Sequence, residues 1–183
     1  WYPVDDETGI QTFAYYVEPD EPVGPDWMHE AVIYHIFLDR YHSGTGDGRF
    51  SSDIDQSHHH ARHGGTLRGV TQSLPYLDEL GINCLWLSPL GLADTYHRYD
   101  TKDLFAIDPD LGSEADLHEL VAQAHARGIR VILDFVPSHC SWKHPAFLAA
   151  QADPNAESAS WFVFYERPDN YRCFLGRARL LPS

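Results

Sequence analysis

Residues 128–139 read Gly-Ile-Arg-Val-Ile-Leu-Asp-Phe-Val-Pro-Ser-His, and this stretch decides the fold. Its apolar run at 129–133 has the β-branched and aliphatic composition of a parallel strand covered on both faces. An unpaired carboxylate is too costly inside such a core, so we expect Asp134 at the strand's open end with polar or cationic partners. Pro137 ends the strand and leaves His139 in the following loop, where α/β proteins concentrate their functional residues.

Predicted strands and a helix precede this stretch. The spacing of apolar residues predicts three earlier elements, namely a strand at 31–38, a helix at 67–80 and a strand at 82–87. Pro75 is expected to kink or divide the helix. Gly81 supplies a left-handed helix stop directly before the second strand. The chain therefore begins a regular alternation of strand and helix.

The next helix has clear ends in the sequence. Ser113 with Asp116 three residues later is a capping-box start, and Gly128 ends the helix before a strand predicted at 129–136. Three strands separated by crossover helices require a parallel sheet with right-handed connections. This pattern fits a (β/α) barrel or a doubly wound sheet, and composition leaves both open.

Long loops follow the predicted strands, whereas the returns from helix to strand are short. The loops at 39–65 and 89–112 hold aromatic, histidine and acidic residues. Loops of this length are commonly functional when they are ordered. Elaboration at only the C-terminal ends of the strands is typical of an active face.

Composition excludes several classes of protein. The chain has 183 residues, 43% of them hydrophobic, which suffices for a buried core, and its formal net charge is -14. That charge repels phosphate backbones and anionic lipid, so we expect neither nucleic acid nor a membrane as a partner. The cysteines at 84, 140 and 173 match no metal-binding spacing and are predicted to be buried or free thiols. No stretch resembles a signal peptide or a membrane span, and a cytoplasmic location is the expectation.

Five short motifs follow one another along the chain. They are Ala-Val-Ile-Tyr-His-Ile-Phe-Leu-Asp-Arg-Tyr at 31–41, Gly-Gly-Thr-Leu-Arg-Gly-Val at 64–70, Tyr-Leu-Asp-Glu-Leu-Gly-Ile-Asn-Cys-Leu-Trp-Leu-Ser-Pro-Leu at 76–90, His-Arg-Tyr-Asp at 97–100 and Asp-Phe-Val-Pro-Ser-His at 134–139. In this order they resemble the α-amylase family of glycoside hydrolases, especially its neopullulanase-like and cyclomaltodextrinase-like members. The resemblance implies a TIM (β/α)₈ barrel of which this chain holds the first three β/α units.

The resemblance also implies a domain organisation. Residues 1–26 resemble the end of a preceding β-domain with a proline-rich linker, although an edge strand of the main domain is an alternative for the strand-like segment at 12–17. The first part of the catalytic barrel would occupy 27–140, and 141–176 would begin the domain inserted after the third strand. Residues 177–183 depart from the family's pattern.

The substrate-binding residues follow from the same resemblance. Tyr99 would form a stacking floor for the sugar beside the scissile bond, His139 would hydrogen-bond that sugar, and Asp134 would orient an arginine further along the barrel. His97 and Asp100 would line the same cleft. An aromatic face suits the apolar face of a pyranose, and an imidazole offers a donor and an acceptor. Asp100 could instead cap its loop, and apart from the resemblance Asp134 could be the structural partner of a buried arginine.

No residue is predicted to break the glycosidic bond. A retaining glycosidase needs two carboxylates about 5–5.5 Å apart. In the family these acids, with a third, come from the fourth, fifth and seventh strands, whereas the sequence supplies three strands. We therefore expect a truncated enzyme of α-glucan or maltooligosaccharide metabolism that is inactive alone and whose partner is the missing remainder of the barrel or another copy. The rival interpretations are a non-catalytic carbohydrate-binding or regulatory module and a doubly wound enzyme of another class.

Metal binding is expected at most in a structural role, because the chemistry needs no cofactor. Ser138 stands where the family has an asparagine that binds calcium, and serine is a poorer ligand. Asp47, Asp53 and Asp55 form a second candidate calcium site in a glycine-rich loop, with a solvated acidic loop as the alternative. The histidines at 58–60 and 63 are interpreted as a polar loop rather than a metal site. Trp86 is expected to pack in the core.

Overall fold

The computed structural model describes residues 24–46, 58, 60–162 and 164. The chain divides into two units, residues 1–31 and residues 32–183. Within the described part of the first unit lies a 3-10 helix, Asp26–Glu30, which buries no residue. The segment at 12–17, the candidate calcium ligands Asp47, Asp53 and Asp55, and the tail at 177–183 lie outside the described residues. The domain boundaries drawn from the sequence remain predictions.

The second unit contains five strands and three α-helices among its described residues. In chain order they are β1 (Ile33–Ile36), α1 (Leu67–Glu79), β2 (Cys84–Leu87), β3 (Gly91–Ala93), β4 (Thr101–Ile107), α2 (Glu114–His125), β5 (Arg130–Leu133) and α3 (Pro145–Ala152). Two 3-10 helices, Leu38–Arg40 and Glu157–Trp161, lie in the connections. None of the described helices is long and apolar enough to cross a membrane.

Three of the strands form a parallel sheet in the order β1-β2-β5. Ile33 pairs with Cys84, and Cys84 pairs with Arg130, so the three strands start level with one another. The helices α1 and α2 make the two crossovers, as the alternating sequence pattern predicts. The successive strands of this sheet are therefore neighbours within it, and their C-terminal ends meet at one edge.

The core lies between this sheet and its helices. Alternate strand residues such as Ile36, Leu85 and Leu87 are buried on the helix side. They pack in one cluster with Leu74 of α1 and Leu120 of α2. Burial of these side chains, at about 25 cal/mol per Å² of apolar surface, is the main force that holds the layers together.

The exposure of Trp86 on the opposite face of the sheet differs from the expectation that it packs in the core. Trp86 is not a core residue, because its side chain is 40% exposed. It lies on the face away from the helices and contacts the ring of His35, with 4.5 Å between the ring centroids. Ile33, which shares this face, is also exposed. An apolar strand sequence does not reveal which of its two faces is covered, and this is why the prediction for Trp86 was wrong.

The helix boundaries largely follow the sequence signals. Ser113 Oγ accepts the Asp116 backbone N–H at 3.3 Å, and the Asp116 carboxylate accepts the Ser113 N–H at 2.7 Å, which confirms the capping box. Gly81 and Gly128 have φ of 82° and 73°, as expected for left-handed helix stops. Pro75 does not divide α1, since the helix runs continuously past it. Burial of leucines on both sides of the proline stabilises the helix there.

The strands are shorter than predicted, and one pair of strands was not predicted at all. β1 begins at Ile33 and β5 ends at Leu133, so the strand expected at 129–136 stops three residues early. The loop predicted at 89–112 contains the antiparallel pair β3 and β4. β3 has only three residues, and the register of the pair shifts at Gly91/Leu92 and at Leu92/Ala93. Such a short, bulged hairpin lacks the strict alternation from which a strand is recognised.

Candidate functional site

Asp134 lies at the C-terminal edge of the parallel sheet. It directly follows β5, and its backbone N–H still donates to the carbonyl of Leu87 at 2.9 Å. Its side chain is half-buried rather than enclosed in the core. The expectation that this carboxylate sits at the open end of the strand with a polar partner is therefore confirmed.

The partner of Asp134 is Tyr99. The phenol of Tyr99 donates to Asp134 Oδ2 at 2.7 Å, although the two residues are 35 positions apart in sequence. Burial raises the pKa of Tyr99 to about 12, and the hydrogen bond to Asp134 and the charge of that carboxylate act in the same direction. The phenol thus remains a protonated donor at neutral pH. Two residues that the sequence assigns to one site are in direct contact.

His97 supports the backbone of Tyr99. Its Nδ1 accepts the Tyr99 backbone N–H at 3.1 Å, and the hydroxyl of Thr95 lies 3.1 Å from the same nitrogen. Because Nδ1 is an acceptor here, a neutral His97 carries its proton on Nε2. The rings of His97 and Tyr99 are tilted by 32° with their centroids 5.9 Å apart. The rings of His97 and Tyr99 are therefore neighbours in this turn.

Asp100 is held within the same turn. Its Oδ1 accepts a hydrogen bond from the hydroxyl of Thr95. This contact corresponds to the loop-capping role that the sequence left as the alternative. Contact of Asp100 with a sugar stays a prediction.

His139 makes no described contact with this cluster. Its side chain is exposed, and its Nδ1 lies 3.1 Å from Ser138 Oγ. No hydrogen bond or ring contact within the described residues joins it to Tyr99 or Asp134. Its predicted hydrogen bond to a sugar therefore remains a prediction.

Arg98 is a functional candidate that the sequence did not single out. It lies between His97 and Tyr99, and its side chain is only 2% exposed. Nε donates to Asp108 Oδ2 at 2.9 Å, and Nη1 donates to the carbonyl of Tyr96 at 2.9 Å. Its φ of 59° is unusual for a residue other than glycine. Nothing in the local sequence signals this backbone conformation.

Asp94 is a second residue that the sequence did not indicate. Its carboxylate contacts Lys102 Nζ at 2.6 Å and Lys143 Nζ at 2.8 Å. These hydrogen bonds, that of Lys102 first, hold the pKa of Asp94 below its ordinary value. The backbone N–H of Ser141 also donates to the Thr101 carbonyl at 2.9 Å. Together these contacts fasten the loop after β5 to the β3–β4 hairpin.

A hollow of about 170 Å³ lies beside Asp134. Its walls come from the ends of β2 and β5 and from the hairpin, and they include Leu90, Leu104 and Leu133. The carboxylate thus stands between a polar turn and an apolar surface.

The described residues do not test the metal sites predicted from the sequence. Within them, no group of three or more histidine, cysteine, aspartate or glutamate side chains could hold a metal ion. His58 and His60 lie with their ring centroids 5.8 Å apart. Cys84 and Cys140 are free, as predicted. A structural calcium ion therefore stays a prediction.

Comparison with known proteins identifies the family. Residues 35–176 match the alpha-amylase family, described as the alpha amylase catalytic domain, over more than half of the chain. The chain belongs to the α-amylase family. It is 39% identical over 170 residues to Alpha-amylase 2 of Dictyoglomus thermophilum, a match that covers 93% of this chain and 29% of that protein. It is 33% identical over 190 residues to Neopullulanase 2 of Thermoactinomyces vulgaris, with 97% and 32% covered.

A solved structure of this α-amylase family shows the same arrangement of elements. The cyclic alpha-maltosyl-(1→6)-maltose hydrolase of Arthrobacter globiformis matches with a TM-score of 0.66 and 36% identity, over 76% of this chain and 33% of that chain. The three parallel strands are thus the first three strands of a TIM barrel, which excludes the doubly wound sheet. The chain spans about a third of the length of these relatives.

Proposed function

We propose that these residues form the substrate-holding part of an α-amylase-family glycoside hydrolase that acts on α-glucans or maltooligosaccharides. Tyr99 would supply the stacking floor for one glucose unit, and Asp134 would fix Tyr99 and an arginine elsewhere in the barrel. His97, Asp100 and His139 would provide polar contacts to the sugar hydroxyls. The reaction of the whole enzyme would proceed with retention, through carboxylates supplied by other strands.

The hydrogen bond from Tyr99 to Asp134 carries this proposal. It joins the hairpin after β2 to the end of β5 at 2.7 Å, at the edge of the sheet where TIM barrels place their active sites. Membership of the α-amylase family supports the class of reaction. The relatives, among them a neopullulanase and a cyclic alpha-maltosyl-(1→6)-maltose hydrolase, support an α-linked glucan as substrate.

We further propose that the 183 residues alone hold sugar without cleaving it. The described part of the chain contributes three barrel strands. The resemblance to the family implies that the nucleophile and the general acid come from later strands. The Asp134 carboxylate accepts the phenol of Tyr99 at 2.7 Å, a contact that suits an orienting role. A site of this kind can orient a sugar but cannot protonate a leaving group and attack the anomeric carbon.

Calorimetric titration with maltotriose tests the binding role. We expect a saturable isotherm for the chain and a loss of about tenfold or more in affinity for Tyr99→Ala, since the stacking surface is removed. Tyr99→Phe keeps the ring and should retain most of the affinity. Tyr76→Ala, which removes an exposed tyrosine from α1, is the matched control. Equal affinities for Tyr99→Ala and the wild type would refute the stacking role.

Incubation with maltooligosaccharides and with pullulan tests the lack of hydrolysis. We expect no increase in reducing ends, whereas a complete α-amylase run in parallel should release them. Authentic turnover by the purified chain would contradict the assignment of the bond-breaking acids to other strands. Binding that depends on Tyr99 but occurs without turnover would also agree with a non-catalytic carbohydrate-binding module.

A further inference from the structure

Arg98 is a buried cation in the turn that carries the predicted sugar-binding residues. Only 2% of its side chain is exposed, and Asp108, its ionic partner, is equally buried. Its Nη2 has no hydrogen-bond partner within the described residues. A guanidinium loses much hydration free energy on burial, and truncating one partner of such a pair is strongly destabilising. Removal of the Arg98 side chain alone is therefore expected to destabilise the fold strongly.

The backbone of Arg98 is held in an equally unusual state. Its φ of 59° lies in the left-handed region, where a β-carbon meets the following carbonyl oxygen. Its own carbonyl accepts the hydroxyl of the buried Thr101 at 3.0 Å. Strained backbone of this kind persists only where the surroundings over-determine it, and it concentrates at functional sites.

The anchor of Arg98 is fixed to the base of the hairpin. Asp108 directly follows β4, and its backbone N–H donates to the carbonyl of Leu90 at 2.9 Å. The guanidinium links this base to the carbonyl of Tyr96, which precedes Arg98 in the turn. The residue that follows Arg98 is Tyr99, whose hydroxyl donates to Asp134. One continuous set of contacts thus connects the hairpin base with the site.

We propose that Arg98 is a positioning residue, whose guanidinium, anchored on Asp108, holds the left-handed turn that places Tyr99 against Asp134. The consequence for sugar binding rests on the proposed function. The geometric part does not, because the contact between Tyr99 and Asp134 exists without a sugar. The two parts can therefore be measured separately.

The geometric part is tested by NMR of the full chain labelled with ¹³Cζ-tyrosine. The Tyr99 signal is identified by its absence in Tyr99→Phe. Arg98→Lys keeps the charge but loses the fork that contacts two acceptors, so we expect the Tyr99 signal to move toward that of a water-exposed tyrosine. Arg127→Lys makes the same exchange on the surface, and Ile129→Val weakens the core elsewhere. Both controls should leave the signal in place.

An unchanged Tyr99 signal in folded Arg98→Lys would overturn the proposal. Should Arg98→Lys fail to fold, the double variant Arg98→Gly with Asp108→Asn decides. Glycine adopts the positive φ freely, and asparagine removes a buried carboxylate whose remaining ionic contact would be Arg62 Nη1 at 3.7 Å, so we expect this variant to destabilise the fold less. A shifted Tyr99 signal supports the guanidinium anchor, and a signal at the wild-type position overturns it.

The functional part is tested by maltotriose titration of the same variants. We expect the dissociation constant to rise about fivefold to tenfold in Arg98→Lys, as for the loss of one well-oriented contact, and to stay unchanged in Arg127→Lys. A wild-type chain that does not bind maltotriose would refute the proposed function while the NMR result still decides the role of Arg98. Wild-type affinity in Arg98→Lys with a displaced Tyr99 signal would overturn the link from position to binding.

Discussion

At the scale of single residues, the contact between Tyr99 and Asp134 combines two properties that a sugar site needs. A carboxylate at a strand end requires a donor, and a phenol supplies one without adding a positive charge. The phenol is fixed through its hydroxyl at 2.7 Å, and Tyr99 as a whole is only half-buried. An orienting hydrogen bond of this type lowers the entropy that must be lost when a ligand binds.

The same contact predicts how stability depends on alkaline pH. The folded-state pKa of Tyr99 is raised from 10.0 to about 12, so the stabilisation by its proton is complete below pH 10 and is lost as the pH rises through 12. At pH 8 we expect Tyr99→Phe to lower the free energy of unfolding by about 1.5 to 3 kcal/mol, the usual range for a hydrogen bond to a charged group. Urea titrations at pH 8, 10 and 11.5 should show this difference shrinking.

Tyr76→Phe provides the control for that experiment. Tyr76 is an exposed tyrosine on α1, so its substitution should leave stability unchanged at each pH. A difference between wild type and Tyr99→Phe that stays constant from pH 8 to pH 11.5 would show that the phenol proton does not contribute as described.

At the scale of elements, α1 docks closely on the loop that follows β1. A β-carbon at Gly65 would lie 1.7 Å from the carbonyl oxygen of Leu38, and one at Gly69 would lie 2.1 Å from that of His42. The backbone N–H of Thr66 donates to the same His42 carbonyl at 2.9 Å. Gly65 and Gly69 of the motif at 64–70 are thus explained by backbone contact, whereas Gly64 has a φ of 85° with open space around it.

Substitution of Gly69 separates this contact from helix propensity. In an isolated helix Gly→Ala is stabilising by about 1 kcal/mol, but here the new methyl group would meet a backbone oxygen. We therefore expect Gly69→Ala to lower the free energy of unfolding by about 1 to 3 kcal/mol, the range for overpacked sites. Urea unfolding followed by circular dichroism measures the change.

The neighbouring Arg68 offers a matched control for Gly69→Ala. Its side chain is 68% exposed, so Arg68→Ala tests an added alanine in the same helical turn without the steric contact. We expect a change within about 0.5 kcal/mol. A stabilised Gly69→Ala variant would contradict the close approach of α1 to His42.

The elements also show what the sequence could and could not predict. Periodicity and caps located α1, α2 and the parallel strands, because amphipathic spacing and the Ser113 capping box are local signals. The β3–β4 hairpin was missed, since its bulges break the alternation. Tyr99 and Asp134 followed from motifs in the family, whereas the positive φ of Arg98 has no local signal. Burial of Trp86 was mispredicted because coverage of a sheet face is a tertiary property.

At the scale of the whole molecule, two properties have opposite effects on association. Exposed apolar surface favours association between copies of the chain, and the high negative charge disfavours it. Trp86 is 40% exposed on the uncovered sheet face, and Phe105 of β4 is fully exposed. Exposed apolar side chains of this kind promote association. The formal net charge of -14 makes copies of the chain repel one another at neutral pH. Solution conditions that reduce the charge repulsion should therefore increase association between copies of the chain.

Sedimentation velocity tests this balance. We expect the chain to be least associated at pH 8 and low salt, and to form larger species as the pH falls toward the sequence pI of about 5.1 or as salt is added. Trp86→Ser should reduce association under all these conditions because it removes apolar area from the uncovered face. Leu80→Ser changes an exposed residue at the end of α1 and serves as the control. If association responds equally to both substitutions, the sheet face containing Trp86 is not the surface through which copies meet.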